Sequence, residues 1–356
     1  MNTQSATSSP NLFIAVDMHK KSWAVHMRTD IFEHKKFTCP AKVSILEQYV
    51  DKHFSDHQIY ITYEAGCCGF NTARYFLNLG WNVVVVNPAD VPRAHKQSLQ
   101  KTDAIDCRNL SKQLQQGQLR AIHIPTEAHD YLKSLLRLRA KVTYGLRAIK
   151  NRIKSHLLYH GIVIPEEMDK STWSKKFIQW LSNISWDHST GQYAMESMLR
   201  IYHVHEQEYR HVANELRAYC RKYHTKDYKL LRSVPGIGGY LAASILAELG
   251  DLRRFNREDQ LAAFVGLVPI IHNSGNNERV FGMTPRCRKI LRSYLIEAAW
   301  IAVRRDPELQ IYWRKHHGKN SKTVLIKIAR KLLCRILSVV KSETPYKINY
   351  KASLSK

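Results

Sequence analysis

An α/β N-terminal domain followed by a helical middle segment and a mainly α C-terminal segment is the architecture the sequence predicts. Two observations predict it. Short apolar runs of strand character alternate with amphipathic helical stretches through the first third of the chain. From Leu132 onward apolar residues recur every three or four positions over long spans, the period of helices. The divisions fall near residues 11–120, 125–225 and 226–345.

Leu12 to Val16, Ser22 to Met27 and Ile31 to Phe37 read as three consecutive strands, the first two joined by the polar turn Met18-His19-Lys20-Lys21. Residues 41–54 read as a helix with Val43, Leu46, Tyr49 and Val50 on one face. Ile59 to Tyr63 then reads as a strand, Phe70 to Leu79 as a helix, and Trp81 to Val86 as a buried strand ending at Asn87-Pro88. A further helical stretch begins near Asp103, so the order is βββαβαβα. That order is the layout of an RNase H-like, RuvC-like nuclease domain.

Four carboxylates sit at telling points of this layout. Asp17 closes the first strand and Glu64 the fourth, where a lone charge beside an apolar run is costly without a partner. Asp103 and Asp106 are three apart, so both can project from one helical face. Such oxygen ligands suit Mg²⁺, and two such ions about 4 Å apart can stabilise the attacking and leaving oxygens of a phosphodiester displacement.

Charge indicates what such a site acts on. The chain has 55 Lys+Arg against 30 Asp+Glu, a net +25. Residues 1–115 carry 13 basic and 10 acidic residues, 116–225 carry 17 and 10, and 226–356 carry 25 and 10. The carboxylates therefore lie in the least basic third, and the remainder has the electrostatic character of a phosphate-backbone binder. Nucleic acid is the expected partner. No run of eighteen apolar residues occurs and the first ten residues are polar, so neither a membrane span nor export is expected and the protein is read as cytoplasmic. Seven cysteines without CxxC or Cys/His zinc spacing read as reduced thiols.

In the middle segment Leu135, Leu138, Val142, Leu146, Ile149, Ile153 and Leu157 form one helical stripe, with basic residues interspersed. A second pattern runs through Met198, Ile201, His205, Val212, Leu216, Tyr219 and Tyr223. The two can pair as an antiparallel coiled coil, either as an arm between copies of the chain or as a hairpin within one. The third segment opens with Val234-Pro235-Gly236-Ile237-Gly238 before a helical stretch, which resembles a helix-hairpin-helix element. In such an element Gly236 and Gly238 let backbone N–H groups approach a DNA phosphate. Beyond it, Ser274 lies in a polar turn, and Arg286, Arg288, Lys289 and Arg292 have the charge and spacing of phosphate contacts.

Taken together, Asp17, Glu64 in YEAG, the KTDAID spacing of Asp103 and Asp106, the VPGIG at 234–238 and the GLVP…NSG of 266–275 resemble the DEDD transposases of bacterial insertion sequences. That group includes the Piv/MooV DNA invertases and the bridge-RNA-guided recombinases, and the resemblance runs from about residue 11 to 345. It implies a RuvC-like domain, a coiled-coil segment and a C-terminal transposase domain. It further implies that Asp17, Glu64, Asp103 and Asp106 bind Mg²⁺ beside the scissile phosphate and that Ser274 is the nucleophile that links covalently to DNA. A structured noncoding guide RNA, donor and target DNA, and a homodimer or homotetramer are the implied partners. Two other classes remain open at this point. One is a RuvC-like hydrolytic junction nuclease in which Ser274 is a turn residue, and the other a non-catalytic nucleic-acid binder.

Overall fold

Five successive buried positions, Leu12 to Val16, put the first strand at the centre of the N-terminal sheet. The computed structural model describes residues 9–34, 36–91, 103–170, 172–274, 277–316 and 318–349, with backbone alone for 103–105, 271–274 and 277–281. Contacts divide the chain into two compact units, Met1–Glu127 and Ala128–Lys356.

The first unit runs β1 (Asn11–Met18), β2 (Ser22–Thr29), β3 (Phe37–Pro40), α1 (Val43–His53), β4 (Gln58–Glu64), α2 (Asn71–Asn78), β5 (Asn82–Val86) and α3 (Asp103–Gln115). Its strands form one sheet in the order β3-β2-β1-β4-β5. β1 and β2 are antiparallel, as are β2 and β3, while β4 and β5 run parallel to β1. The element order and the five-stranded sheet are those expected of an RNase H-like domain. Residues 31–34 depart from the reading of a strand over 31–37. Thr29 N–H donates to Phe32 O, Phe32 N–H donates to Thr29 Oγ1, and these bonds make a turn, so β3 begins only at Phe37.

Alternation along β1 gives the sheet two different faces. Leu12, Ile14 and Val16 pack with Ile61, Tyr63, Leu46, Val50 and Phe76. Ala15 faces the other way and packs with Val86 and Leu110 of α3. A small residue at 15 lets α3 lie close against the central strand, and β1 and β2 carry its most extensive contacts.

The second unit begins with the long helix α4 (Glu127–Tyr159), followed by α5 (Lys175–Ser182) and α6 (Ser189–Tyr223). Both long stripes expected from the sequence shift part-way. On α4 the buried positions are Leu132, Leu136, Arg139, Leu146, Ile149, Ile153 and Leu157, and Leu138 is exposed. On α6 they are Met195, Leu199, Tyr202, Val212, Ala213, Leu216 and Cys220, and Ile201 is exposed. The reason is that the helices do not meet along one uniform seam. Trp173, Phe177 and Leu181 join the cluster of Leu146 to Leu157 with Met195 to Tyr202, whereas Leu132, Leu136, Leu216 and Cys220 belong to the next core. These buried positions pack within the chain, while Leu138, Leu158, Ile201 and Val204 remain exposed.

That next core is built by α7 (Thr225–Ser233), α8 (Gly239–Leu249), a 3-10 turn (Leu252–Arg254), α9 (Glu258–Val265), α10 (Lys289–Arg305), α11 (Pro307–Lys315) and α12 (Ser321–Ser342). α8 is apolar nearly all round, with Leu241 to Leu246 buried throughout. Between α9 and α10 lies a hairpin absent from the helical reading, β6 (Pro269–Ser274) and β7 (Asn277–Met283), antiparallel. Asp306 is wholly buried and fully used. It caps α11 through the N–H groups of Glu308 and Leu309, accepts from Arg335 at 2.6 Å and from the Tyr346 hydroxyl at 2.8 Å. A buried carboxylate held this way is stable only while its cationic partner stays.

Gly236, between α7 and α8, has φ +88°, and a Cβ there would stand 2.5 Å from the carbonyl oxygen of Ala298 in α10. Gly236→Ala is therefore expected to cost about 2–4 kcal/mol from combined strain and overpacking. Urea unfolding followed by helical circular dichroism measures it, and an unchanged midpoint would contradict this packing.

Candidate active site

Asp17 and Glu64 are brought together by strand register. β1 and β4 are parallel with Val16 opposite Tyr63, so the next step along both strands sets Asp17 beside Glu64 at their carboxyl ends. Val16 and Tyr63 face the α1/α2 layer, and alternation turns Asp17 and Glu64 to the other face, the one α3 covers. Both side chains are partly exposed, as befits groups that must meet a substrate. Asp17 Oδ2 also lies 3.3 Å from His19 Nε2.

α3 supplies the second pair. Its first residue is Asp103, and Asp106 follows one turn later, partly exposed. Cys107 is buried and its thiol donates to the carbonyl of Ala24, the β2 residue paired with Asp17. The start of α3 is thereby tied to the strand position next to Asp17. The side chain of Asp103 lies outside the described residues. Among the described residues no three metal-ligating side chains converge on a point. The donor chemistry nonetheless fits a hard divalent cation, since all four candidates offer carboxylate oxygen.

A polar latch that sequence reasoning missed fixes α3 on the sheet. His26, on β2, is buried, and both ring nitrogens are engaged: Nδ1 with Ser111 Oγ of α3 at 2.8 Å and Nε2 with Glu33 at 3.0 Å. Glu33 also takes Arg108 of α3 at 2.5 Å and Arg28 at 3.2 Å. Arg28 in turn donates to Gln115 at 3.0 Å. The Arg108 hydrogen bond is the largest influence holding the Glu33 carboxyl below its usual range. Burial is the largest influence on His26 and pulls its ring below the ordinary value, against the raising effect of Glu33. The one available signal was a histidine at a core-facing position of a strand.

In the second unit Ser274 is the last residue of β6, with Asn277 opposite it on β7. Its side chain, and Gly275, lie outside the described residues. The Ser-Gly-Asn-Asn run between two alternating stretches was the available hairpin signal. The PGIG glycines have different surroundings. Gly236 is used for close packing on α10, whereas Gly238 is exposed, at the N-cap of α8, with nothing within 4 Å of an added Cβ. The four cations differ as well. Arg292 donates to the carbonyls of Gly266 at 3.2 Å and Thr284 at 2.8 Å, which braces the start of α10. Arg288 lies over the Phe264 ring at 4.6 Å and 3.5 Å from Glu248. Arg286 and Lys289 are the exposed members.

With these elements placed, comparison with known proteins is decisive. A DEDD transposase model of IS110 elements, described as "Transposase", matches residues 14–161, the stretch that holds the carboxylates. A second model, "Transposase IS116/IS110/IS902 family", matches residues 228–314, which holds the hairpin and Ser274. Both stretches are thus similar to transposases of the IS110/IS116 group. It is 28% identical to protein y4qE of Sinorhizobium fredii over 68% of this chain and 58% of that protein. It is 26% identical to the transposase for insertion sequence element IS1111A of Coxiella burnetii over 64% and 61%. A third relative, the transposase for IS1328 of Yersinia enterocolitica, is 23% identical over 83% and 85%. The match thus spans less than two thirds of the length of the first two. The match to the DEDD model over residues 14–161 implies an RNase H-like fold there, which agrees with the β3-β2-β1-β4-β5 sheet.

In this chain the latch makes a pH signature. Below the ordinary His26 value near 6.5 the unfolded chain takes up a proton that the native ring refuses, so this contribution to stability is complete above that pH and lost as pH falls toward the lowered native value. His26→Asn is expected to remove that part of the slope in urea midpoints measured between pH 8 and 5. An identical slope in the variant would contradict it.

Proposed function

We propose that this chain catalyses DNA strand cleavage and exchange for an insertion sequence, through a covalent phosphoserine link at Ser274. The observation that supports this most is the side-by-side register of Asp17 and Glu64 beneath the start of α3, which carries Asp103 and Asp106. Two carboxylates at strand ends and two on α3 are the donor set for Mg²⁺, two ions in this reading, and bound metal would offset charge developing on the phosphate oxygens. Asp17, Glu64, Asp103 and Asp106 are the residues that would hold the cations. Ser274 Oγ forms a bond to phosphorus as a DNA P–O bond breaks, and the departing oxygen takes a proton. The phosphodiester energy is kept in the serine link, so a strand can be resealed to a new partner without a high-energy cofactor.

Sequence choice is assigned to a structured noncoding guide RNA that pairs with donor and target DNA, while the protein reads backbone and shape. The net charge of +25 suits a chain that holds both polyanions. Exposed Arg286, Lys289 and the Gly238 turn are the first candidates for phosphate contact, with Arg288 beside them. Gly236 and Arg292 support that surface through packing and bracing. The work is divided among residues 11–120 for metal and chemistry, 125–225 as a helical arm, and 226–345 for the nucleophile. Strand exchange needs several ends held at once, so the acting form is a homodimer or homotetramer, in the bacterial cytoplasm where the element resides. None of the described helices is long and apolar enough to cross a membrane.

Purified protein with Mg²⁺, RNA from the native locus and labelled donor and target DNA is expected to give a covalent protein–DNA adduct on denaturing gels. Ser274→Ala should abolish the adduct while nucleic-acid binding stays within about twofold, because a lone hydroxyl contributes little to backbone affinity. Cut ends without any adduct would replace this reading with metal-assisted hydrolysis. Asp17→Asn should lower cleavage by a factor on the order of 10³ or more, the loss expected when a charge-stabilising group is removed from a phosphoryl-transfer site. Undiminished cleavage by that variant, or in excess chelator, would remove the carboxylates from the chemistry.

A further inference from the structure

Helix α4 is polycationic to a degree that the active site does not use. Between Tyr131 and Tyr159 it carries eight Lys or Arg residues and no Asp or Glu. Four of the eight are occupied. Lys133 pairs with Glu248 and Lys154 with Asp169, Arg139 is buried under the Tyr209 ring, and Lys150 lies over Trp173. The other four are exposed and make no ion pair among the described residues. Arg147 lies to one side, and the remaining three are Arg137, Lys141 and Arg152.

These three cations share one face with aromatic side chains. At 100° per residue, Arg137, Lys141, Tyr144, Arg152, Ser155 and Tyr159 fall within a sector of about 80°, along about 33 Å of helix. Tyr144 is 74% exposed and Tyr159 84%. At the far end the stripe opens into a groove of about 720 Å³ between α4 and α6, lined by Arg152, Ser155, His156 and Tyr159 and, from α6, by Tyr193 and Ser197. Tyr193 is 67% exposed, and Arg200 reaches over its ring at 5.5 Å.

We propose that this stripe and groove bind a single-stranded stretch of nucleic acid, with unpaired bases stacked on Tyr159 and Tyr193 and phosphates held by Arg152, Lys141 and Arg137. Exposed tyrosines interleaved with unpaired cations are the elements of a stacking platform, and only unpaired bases offer ring faces to stack on. Duplex DNA would use the cations and leave the tyrosines idle. A second copy of this chain fits less well, because a two-fold contact through this face would set its cations against their own counterparts.

The test uses full-length protein and fluorescence anisotropy with an oligouridine of about 20 nucleotides, the matching oligothymidine and a duplex of the same length, a size chosen to exceed a stacking site. Tyr159→Ser with Tyr193→Ser leaves charge unchanged and is expected to weaken single-strand binding roughly tenfold while duplex binding stays constant. Arg152→Ala with Lys141→Ala should lower the salt slope on single strands by about 1.4, or about 0.7 for each phosphate no longer neutralised. Tighter binding of oligouridine identifies RNA as the source of the strand, and tighter binding of oligothymidine identifies displaced DNA. An equal loss on duplex, no loss on any probe, or a change of oligomeric state in light scattering with binding intact would each overturn the proposal. The inference rests on the reading of this chain as a nucleic-acid enzyme but fails separately from it. Asp17→Asn should bind all three probes like the wild type, whatever its cleavage activity.

Discussion

Parallel pairing of β1 with β4 is the constraint on which the candidate site depends. Two strands that run the same way end at the same edge of the sheet, so residues that close them become neighbours however far apart they lie in the chain. Asp17 and Glu64 are 47 positions apart, and one register step beyond Val16 and Tyr63 puts them side by side. Ala15, two residues before Asp17, packs against Leu110 of α3, the helix that also carries Asp106.

The latch of His26, Glu33, Arg108 and Ser111 completes this arrangement from the opposite side of β1. A helix resting on a sheet through small apolar contacts alone can slide along the strands. Hydrogen bonds from both nitrogens of a buried ring specify one position, because a shift would strand polar groups without partners. Burial and hydrogen bonding thus convert an apolar contact into a defined seat for the carboxylates of α3.

The second unit follows a different logic, with an almost wholly apolar α8 at its centre and charged residues used sparingly to lock corners. Arg335 on buried Asp306 and Arg253 on Asp227, with both contacts of the latter under 3.0 Å, hold helix ends that the core alone would leave free. Much of the cationic surplus remains outside such pairs. The exposed face of α4 is where that surplus coincides with exposed aromatic rings, which distinguishes it from a merely solvated helix surface.

Local periodicity was enough to read β1, β2, α1, β4, α2 and β5 in order, because each buries one face and short strands and amphipathic helices leave distinct patterns. The third strand was misplaced by about six residues, since Ile31 and Phe32 look like strand residues but are exposed in a turn that Thr29 closes. The β6–β7 hairpin escaped because its alternation is short and flanked by helices. The four carboxylates and Ser274 are candidates drawn from their positions and family pattern, whereas the latch left no such trace, because its members are spread over residues 26 to 115 and meet only through sheet packing. The expected stripes on α4 and α6 were right at one end and rotated at the other, for a related reason: which face is buried depends on what packs there, and Trp173 and Phe177 arrive from outside both helices. Sequence alone therefore determined most of the elements, the charge and which residues are candidates for ligands, which are properties of short windows. Register, the choice of helix face and the pairing of buried polar groups were decided only in the tertiary structure, because each is an interaction between segments whose separation in the chain leaves no local trace.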